Sequence, residues 1–134
     1  MGFRELVRLL VLWRLAGEWW RAEALYLYFC GGLGPAEIEG LMGVRRTVVA
    51  GIVRRAYEAY GLYFGLGGAV SRCFRYVAEL EPALSETCRL CGRGGFRWNA
   101  RHLVMSHGDY VERCVEEVVS RCAGGRRLSD ESAL

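Results

Sequence analysis

Both histidines of the chain and two of its six cysteines fall in one stretch, CRLCGRGGFRWNARHLVMSH, from Cys88 to His107. Two residues separate Cys88 from Cys91, four separate His102 from His107, and ten lie between the two pairs. Thiolate and imidazole are the ligands that Zn2+ takes in a tetrahedron. A Cys-x2-Cys pair on a tight turn aims two sulfurs at one point, and two histidines about one helical turn apart bring two nitrogens to it. Zn2+ held by Cys88, Cys91, His102 and His107 is therefore the expected chemistry, with Cys114 a substitute if one histidine turns away. The alternatives are a redox dithiol, a disulfide or free thiols. Intracellular proteins of hyperthermophiles are disulfide-rich, but a redox Cys-x2-Cys opens a helix in a thioredoxin-like setting that this sequence lacks.

No catalytic constellation accompanies these ligands. The GLGG of Gly65 to Gly68 lacks the lysine and the strand–helix context of a phosphate loop. An open catalytic zinc keeps only three protein ligands and needs a general base nearby, and Asp109 or Glu112 fits that role poorly. The chain is expected not to be an enzyme and to take no small-molecule substrate.

The elements that must position these residues are mostly helical. Apolar residues at Phe3, Leu6, Val7, Leu10 and Trp13 recur at helical spacing, and Leu9, Val11, Leu12 and Leu15 widen that face. A helix apolar nearly all round lies deep in a core or against a second copy. Glu18 to Cys30 gives a second, aromatic-rich helix ending at Gly31-Gly32. Pro35 suits a first helical turn, so a short helix over Ala36–Met42 is expected, then a turn at Gly43 and a longer helix over Arg46–Tyr60. On the long helix Val49, Ile52, Val53, Ala56 and Tyr60 share one face, while Arg46, Ala50, Arg54 and Glu58 share the other. Aromatic and β-branched residues on both sides of Gly67-Gly68 favour a β-hairpin; one helix over Ala69–Leu80 competes with it. Glu81-Pro82 marks a boundary, and an amphipathic helix capped by Asp109 runs from there to Cys122. Cys114 and Cys122, eight apart on that helix, stand about 12 Å apart and cannot bond. Buried thiols are favoured for Cys30 and Cys73, a disulfide between them being the alternative.

With 134 residues, about half of them apolar, the chain can bury a core. Three segments are expected: 1–81 as a helical domain led by a dimerisation-type helix, 82–124 as a metal module with its C-terminal helix, and 125–134 as a flexible tail. The net charge of +3 is too mild to name a partner by itself. All 18 basic residues are arginine, glutamine is absent and Asn99 is the only asparagine, a composition that fits a hot habitat. The longest apolar run in the first twenty residues, Leu9 to Trp13, is far below the ~20 that a bilayer needs. No membrane partner is expected, and the cytoplasm, or the host cytoplasm for a viral protein, is the expected location.

Leu33 to Arg55 resembles the helix-turn-helix of bacterial and archaeal transcription regulators, through Ile38, Leu41, Gly43, Val44, Val49 and Ile52. Such a motif presents the start of its second helix to the major groove. The resemblance implies double-stranded DNA as partner, contacted by Arg45, Arg46, Thr47, Ala50 and Arg54, and a homodimer to match paired half-sites. Glu39 departs from the pattern, since a small residue usually stands where the two helices pack closest, and it has to point outwards. A hairpin after Gly61 would sit where a winged helix-turn-helix has its wing, with Arg72 and Arg75 against the backbone phosphates or in the minor groove.

Cys88 to His107 resembles in turn a Cys-Cys-His-His zinc finger, with Phe96 and Leu103 as its small core and Arg93, Arg97 and Arg101 as accessory phosphate contacts. Its ten-residue interior is shorter than the usual ~12, which favours a structural over a base-reading role. The expected fold is thus mainly α with a small β-hairpin, a winged helix-turn-helix followed by a zinc-finger-like module. The resemblance implies a transcription regulator, and the composition points to a hyperthermophilic archaeon or its virus as the source. An assembly module stapled by zinc, without nucleic-acid binding, is the alternative.

Overall fold

The computed structural model describes residues 2–64, 68–94 and 100–122. They form seven helices: α1 (Phe3–Leu15), α2 (Trp19–Phe29), α3 (Pro35–Met42), α4 (Arg46–Phe64), α5 (Gly68–Ala78), α6 (Ala100–Ser106) and α7 (Gly108–Cys122). No strand occurs among the described residues; two isolated bridges, Leu84 with Cys88 and Thr87 with Gly94, are the only extended pairing there.

The apolar α1 is the central helix, packed against α2, α4, α5, α6 and α7. Leu6, Val7, Leu10, Val11 and Leu15 are fully buried by the chain's own helices, which removes the main reason to expect a second copy over this face. α7 closes the core with Val111, Cys114, Val115, Val118 and Cys122, and α5 with Val70, Cys73, Phe74 and Val77. This core is continuous across residues 81 and 82, where a division was expected. Each fully buried leucine or valine contributes on the order of 1.5–3 kcal/mol.

Polar ties fix how the helices sit. From α1, Arg8 donates to both oxygens of Glu112 on α7, at 2.7 and 3.0 Å, and Arg4 bridges Glu112 and Glu116 at 3.1 and 2.7 Å. The carbonyl of Leu15, left over at the end of α1, accepts the amides of Ala83 and Leu84 at 2.8 and 2.9 Å. α1 and α3 start in the same way: a glycine cap offers no side chain, and a glutamate three residues on returns to its amide (Glu5 to Gly2, 2.9 Å; Glu37 to Gly34, 2.8 Å). Cys73 and Cys122 form a disulfide between α5 and α7, with Cα atoms 5.1 Å apart.

Among the described residues no strands flank the hairpin turn expected at Gly67-Gly68, of which Gly67 lies outside the described residues. Leu62 to Phe64 extend α4 by a further turn and Ala69 to Ala78 lie in α5. The buried Val70, Cys73, Phe74 and Val77 keep the helical 3-1-3 spacing, and covering that stripe outweighs the strand preference of single aromatic residues. The described residues show no wing at this place: Arg72 is half-buried on α5 and Arg75 is exposed on it. Asp109 is not a cap either. α7 starts one residue earlier, so Asp109 lies in its first turn, where a carboxylate still suits the helix dipole. No helix among the described residues is long and apolar enough to cross a membrane.

Candidate metal centre and arginine face

Four potential ligands converge beside the start of α7. One ligand atom from each of Cys88, Cys91, His102 and His107 lies within 4.8 Å of all the others, close enough to hold a metal ion. Two edges are resolved: Cys88 Sγ stands 3.5 Å from His107 Nε2, and Cys91 Sγ stands 3.7 Å from His102 Nε2. A tetrahedron with Zn–S of ~2.3 Å and Zn–N of ~2.0–2.1 Å has sulfur–nitrogen edges of roughly 3.6 Å. The four residues therefore fit zinc in donor type and in spacing.

Local backbone structure explains the convergence. The Cys88 carbonyl accepts the amide of Gly92 at 2.7 Å, and the Cys88 amide donates to the Arg93 carbonyl at 2.8 Å, folding residues 88–93 into a tight knuckle. Gly92 closes it at φ +76°, a left-handed conformation that glycine adopts without strain. Cys88 is buried, while Cys91 is exposed at the rim. His102 projects from α6. His107 occupies the junction of α6 and α7: its amide donates to the Leu103 carbonyl at 2.8 Å and its carbonyl accepts the Val111 amide at 3.1 Å. Both helices thus hold the backbone of one ligand. Desolvation, then the neighbouring His107 and Arg93, push His102 below its ordinary pKa, which favours the neutral ring that binds metal.

The finger reading is met in part. Leu103 is fully buried, as a finger core requires. The two histidines do not share one continuous helix, however, since His107 follows the end of α6. Phe96 and Arg97 lie outside the described residues; Arg93 and Arg101 are exposed. Cys114 is buried in α7 and stands outside the ligand quartet. Glu112, considered as a catalytic base, is instead gripped by Arg4 and Arg8, whose hydrogen bonds and charges hold its carboxyl below the usual range.

The second candidate surface is the start of α4. Gly43 ends α3 at φ +74°, and α4 begins three residues later. Ile38, Val49, Ile52, Val53 and Ala56 are buried between α3, α4 and α2, while Arg45, Arg46, Thr47, Ala50, Arg54 and Arg55 are exposed on the far side. Leu41, one of the residues that carry the helix-turn-helix resemblance, is 68% exposed. Glu39 points outwards, and its carboxylate accepts the Arg46 Nε–H at 2.7 Å.

Sequence reasoning missed two features. The Cys73–Cys122 disulfide has no local signal, since its partners lie 49 residues apart; neither the buried-thiol expectation for Cys73 nor the Cys30–Cys73 alternative holds, and Cys30 is exposed. A cleft between α2 and α5, lined by Trp19, Tyr26 and Phe74, was also missed because its walls come from helices far apart in the chain. Comparison of the chain with known protein families, with characterised proteins and with solved structures gives no match.

Proposed function

We propose that the protein is a DNA-binding regulator that contacts double-stranded DNA through the start of α4, with a structural Zn2+ held by Cys88, Cys91, His102 and His107. The observation that carries this reading is the face of α4. From Val44 to Tyr57 it holds four arginines and no acid, and all four are exposed. The short α3 and the left-handed Gly43 lead into it as they do in a helix-turn-helix. Arginine serves both for phosphate contact and for bidentate pairing to guanine.

Zinc acts here as a staple. Its ligands join the knuckle after Leu84 to the start of α7, and α7 in turn packs on α1 and α5. When bound, the ion supplies cross-linking energy and leaves no site for substrate, because four protein ligands fill a tetrahedron.

The test is titration of a fluorescent duplex with the protein over a range of salt. Binding should weaken with salt by about 0.9 log unit in affinity per log unit of salt for each phosphate contact. Arg54→Ala and Arg45→Ala, both at exposed positions, should lower affinity and flatten that slope by about one each while leaving the melting temperature unchanged. Absence of salt-dependent binding at low ionic strength overturns the reading.

An assembly module is the second reading, and the exposed pair Val104 and Met105 on α6 favours it. Under that reading a stable oligomer forms without nucleic acid, and Met105→Glu dissociates it.

A further inference from the structure

The cleft between α2 and α5 has a volume of about 570 Å³, within the range of roughly 300–1,000 Å³ typical of small-molecule sites. Its walls are aromatic. Phe74, 4% exposed, forms the inner wall, Tyr26 meets it edge-on at 5.4 Å between ring centroids, and Trp19 lies 6.3 Å from it at a tilt. Met42, the last residue of α3, also lines the cleft.

Two charges of opposite sign line the same space: Glu23 from α2 and Arg75 from α5. Both are exposed. Among the described residues no ion pair joins them, and neither has another charged partner; the Arg75 guanidinium rests 5.5 Å from the Tyr76 ring. An acid and a base that line one apolar cleft without pairing are complementary to a ligand that carries both charges beside a flat apolar body. Aromatic walls favour such a body through stacked or edge-on contact, and an ammonium group gains from both the carboxylate and the ring faces.

We propose that this cleft binds a zwitterionic aromatic small molecule of the size of an aromatic amino acid, its ammonium group on Glu23, its carboxylate on Arg75 and its ring among Trp19, Tyr26 and Phe74. The proposal stands apart from DNA binding, since its readout needs no DNA. It does place a ligand against Met42, one residue before the turn that leads into α4.

The experiment is calorimetric titration of the full chain with tryptophan, tryptamine and indole-3-acetate. Tryptophan should bind with one-to-one stoichiometry and a few-fold tighter than either singly charged analogue, the margin of one solvent-exposed charge pair. Arg75→Gln should remove the advantage over tryptamine, and Glu23→Gln the advantage over indole-3-acetate. Ala78→Leu, which fills the cleft from α5, should abolish binding of all three. No saturable binding by the parent overturns the proposal, as does an unchanged ligand ranking in the two charge variants. Those variants sit at exposed positions and carry the test even if Ala78→Leu disturbs folding.

Discussion

Glu39 on α3 accepts a hydrogen bond from Arg46 on α4 at 2.7 Å, across the turn that Gly43 makes. The pair explains how a glutamate is accommodated where two helices approach: it leaves the contact and turns outwards to an arginine. Arg46 is 65% exposed, so the pair is worth at most about 1 kcal/mol in stability. It also engages one of the arginines of the face proposed to meet DNA. Glu39→Ala should therefore leave the melting temperature nearly unchanged and tighten duplex binding a few-fold. Weaker binding by this variant in the salt titration contradicts the assignment of Arg46 to the interface.

The clamp on Glu112 makes stability depend on pH. Hydrogen bonds and charge from Arg8, then from Arg4, hold its folded-state pKa below the ordinary 4.5. The stabilisation is fully present above that ordinary value and is lost as pH falls through the depressed one. Glu112→Gln should cost on the order of 1 kcal/mol at pH 7, after allowance for solvent screening of a half-exposed group. In urea unfolding the parent and the variant should converge in strong acid.

Metal removal has a chemical readout in the cysteines. With Zn2+ bound, Cys30 should be the first thiol alkylated in the folded protein, because it is exposed and not a proposed ligand. Although the residue is exposed, partial desolvation of its sulfur raises its pKa, so that labelling should accelerate as pH rises towards and past the usual thiol value. A chelator should add Cys91, the exposed ligand, and leave the buried Cys114 unlabelled. Peptide mass analysis distinguishes these sites, and equal labelling of Cys91 with and without chelator excludes it as a ligand.

The disulfide between Cys73 and Cys122 ties positions 49 residues apart. A loop of that length corresponds to about 4 kcal/mol in the chain-entropy description. The double variant Cys73→Ala/Cys122→Ala should lose stability of that order in denaturant unfolding. Alkylation after unfolding without reductant should modify four cysteines in the parent; six modified cysteines mean that the bond is absent.

The parts of this fold that could be read from the sequence have local causes. Val49, Ile52, Val53 and Ala56 sit on consecutive turns of one helix, and burial follows from that spacing alone. The metal quartet was legible because its ligands are clustered in sequence and chemically unusual for this chain. At Gly67-Gly68 the local signals conflicted: paired glycines between aromatic residues suggest a turn between strands, whereas Val70, Cys73, Phe74 and Val77 carry a helical stripe. The stripe prevailed because α7 and α1 provide a surface for it to cover, and that surface belongs to distant segments. Distance hid the disulfide and the cleft in the same way. The apolar excess of α1 was visible, but whether other helices of the chain or a second copy would cover it depended on five helices that follow.

Arg8 and Glu112, which lock α1 to α7, stand 104 residues apart in the chain. On the ribosome, at ~5–20 residues per second, the apolar face of α1 therefore emerges roughly 5–20 s before the helix that covers it most. The central helix of the core thus precedes in synthesis the helix that covers most of it. Until α7 follows, α1 has only α2, α4, α5 and α6 to pack against, and the apolar face that α7 covers stays open to water.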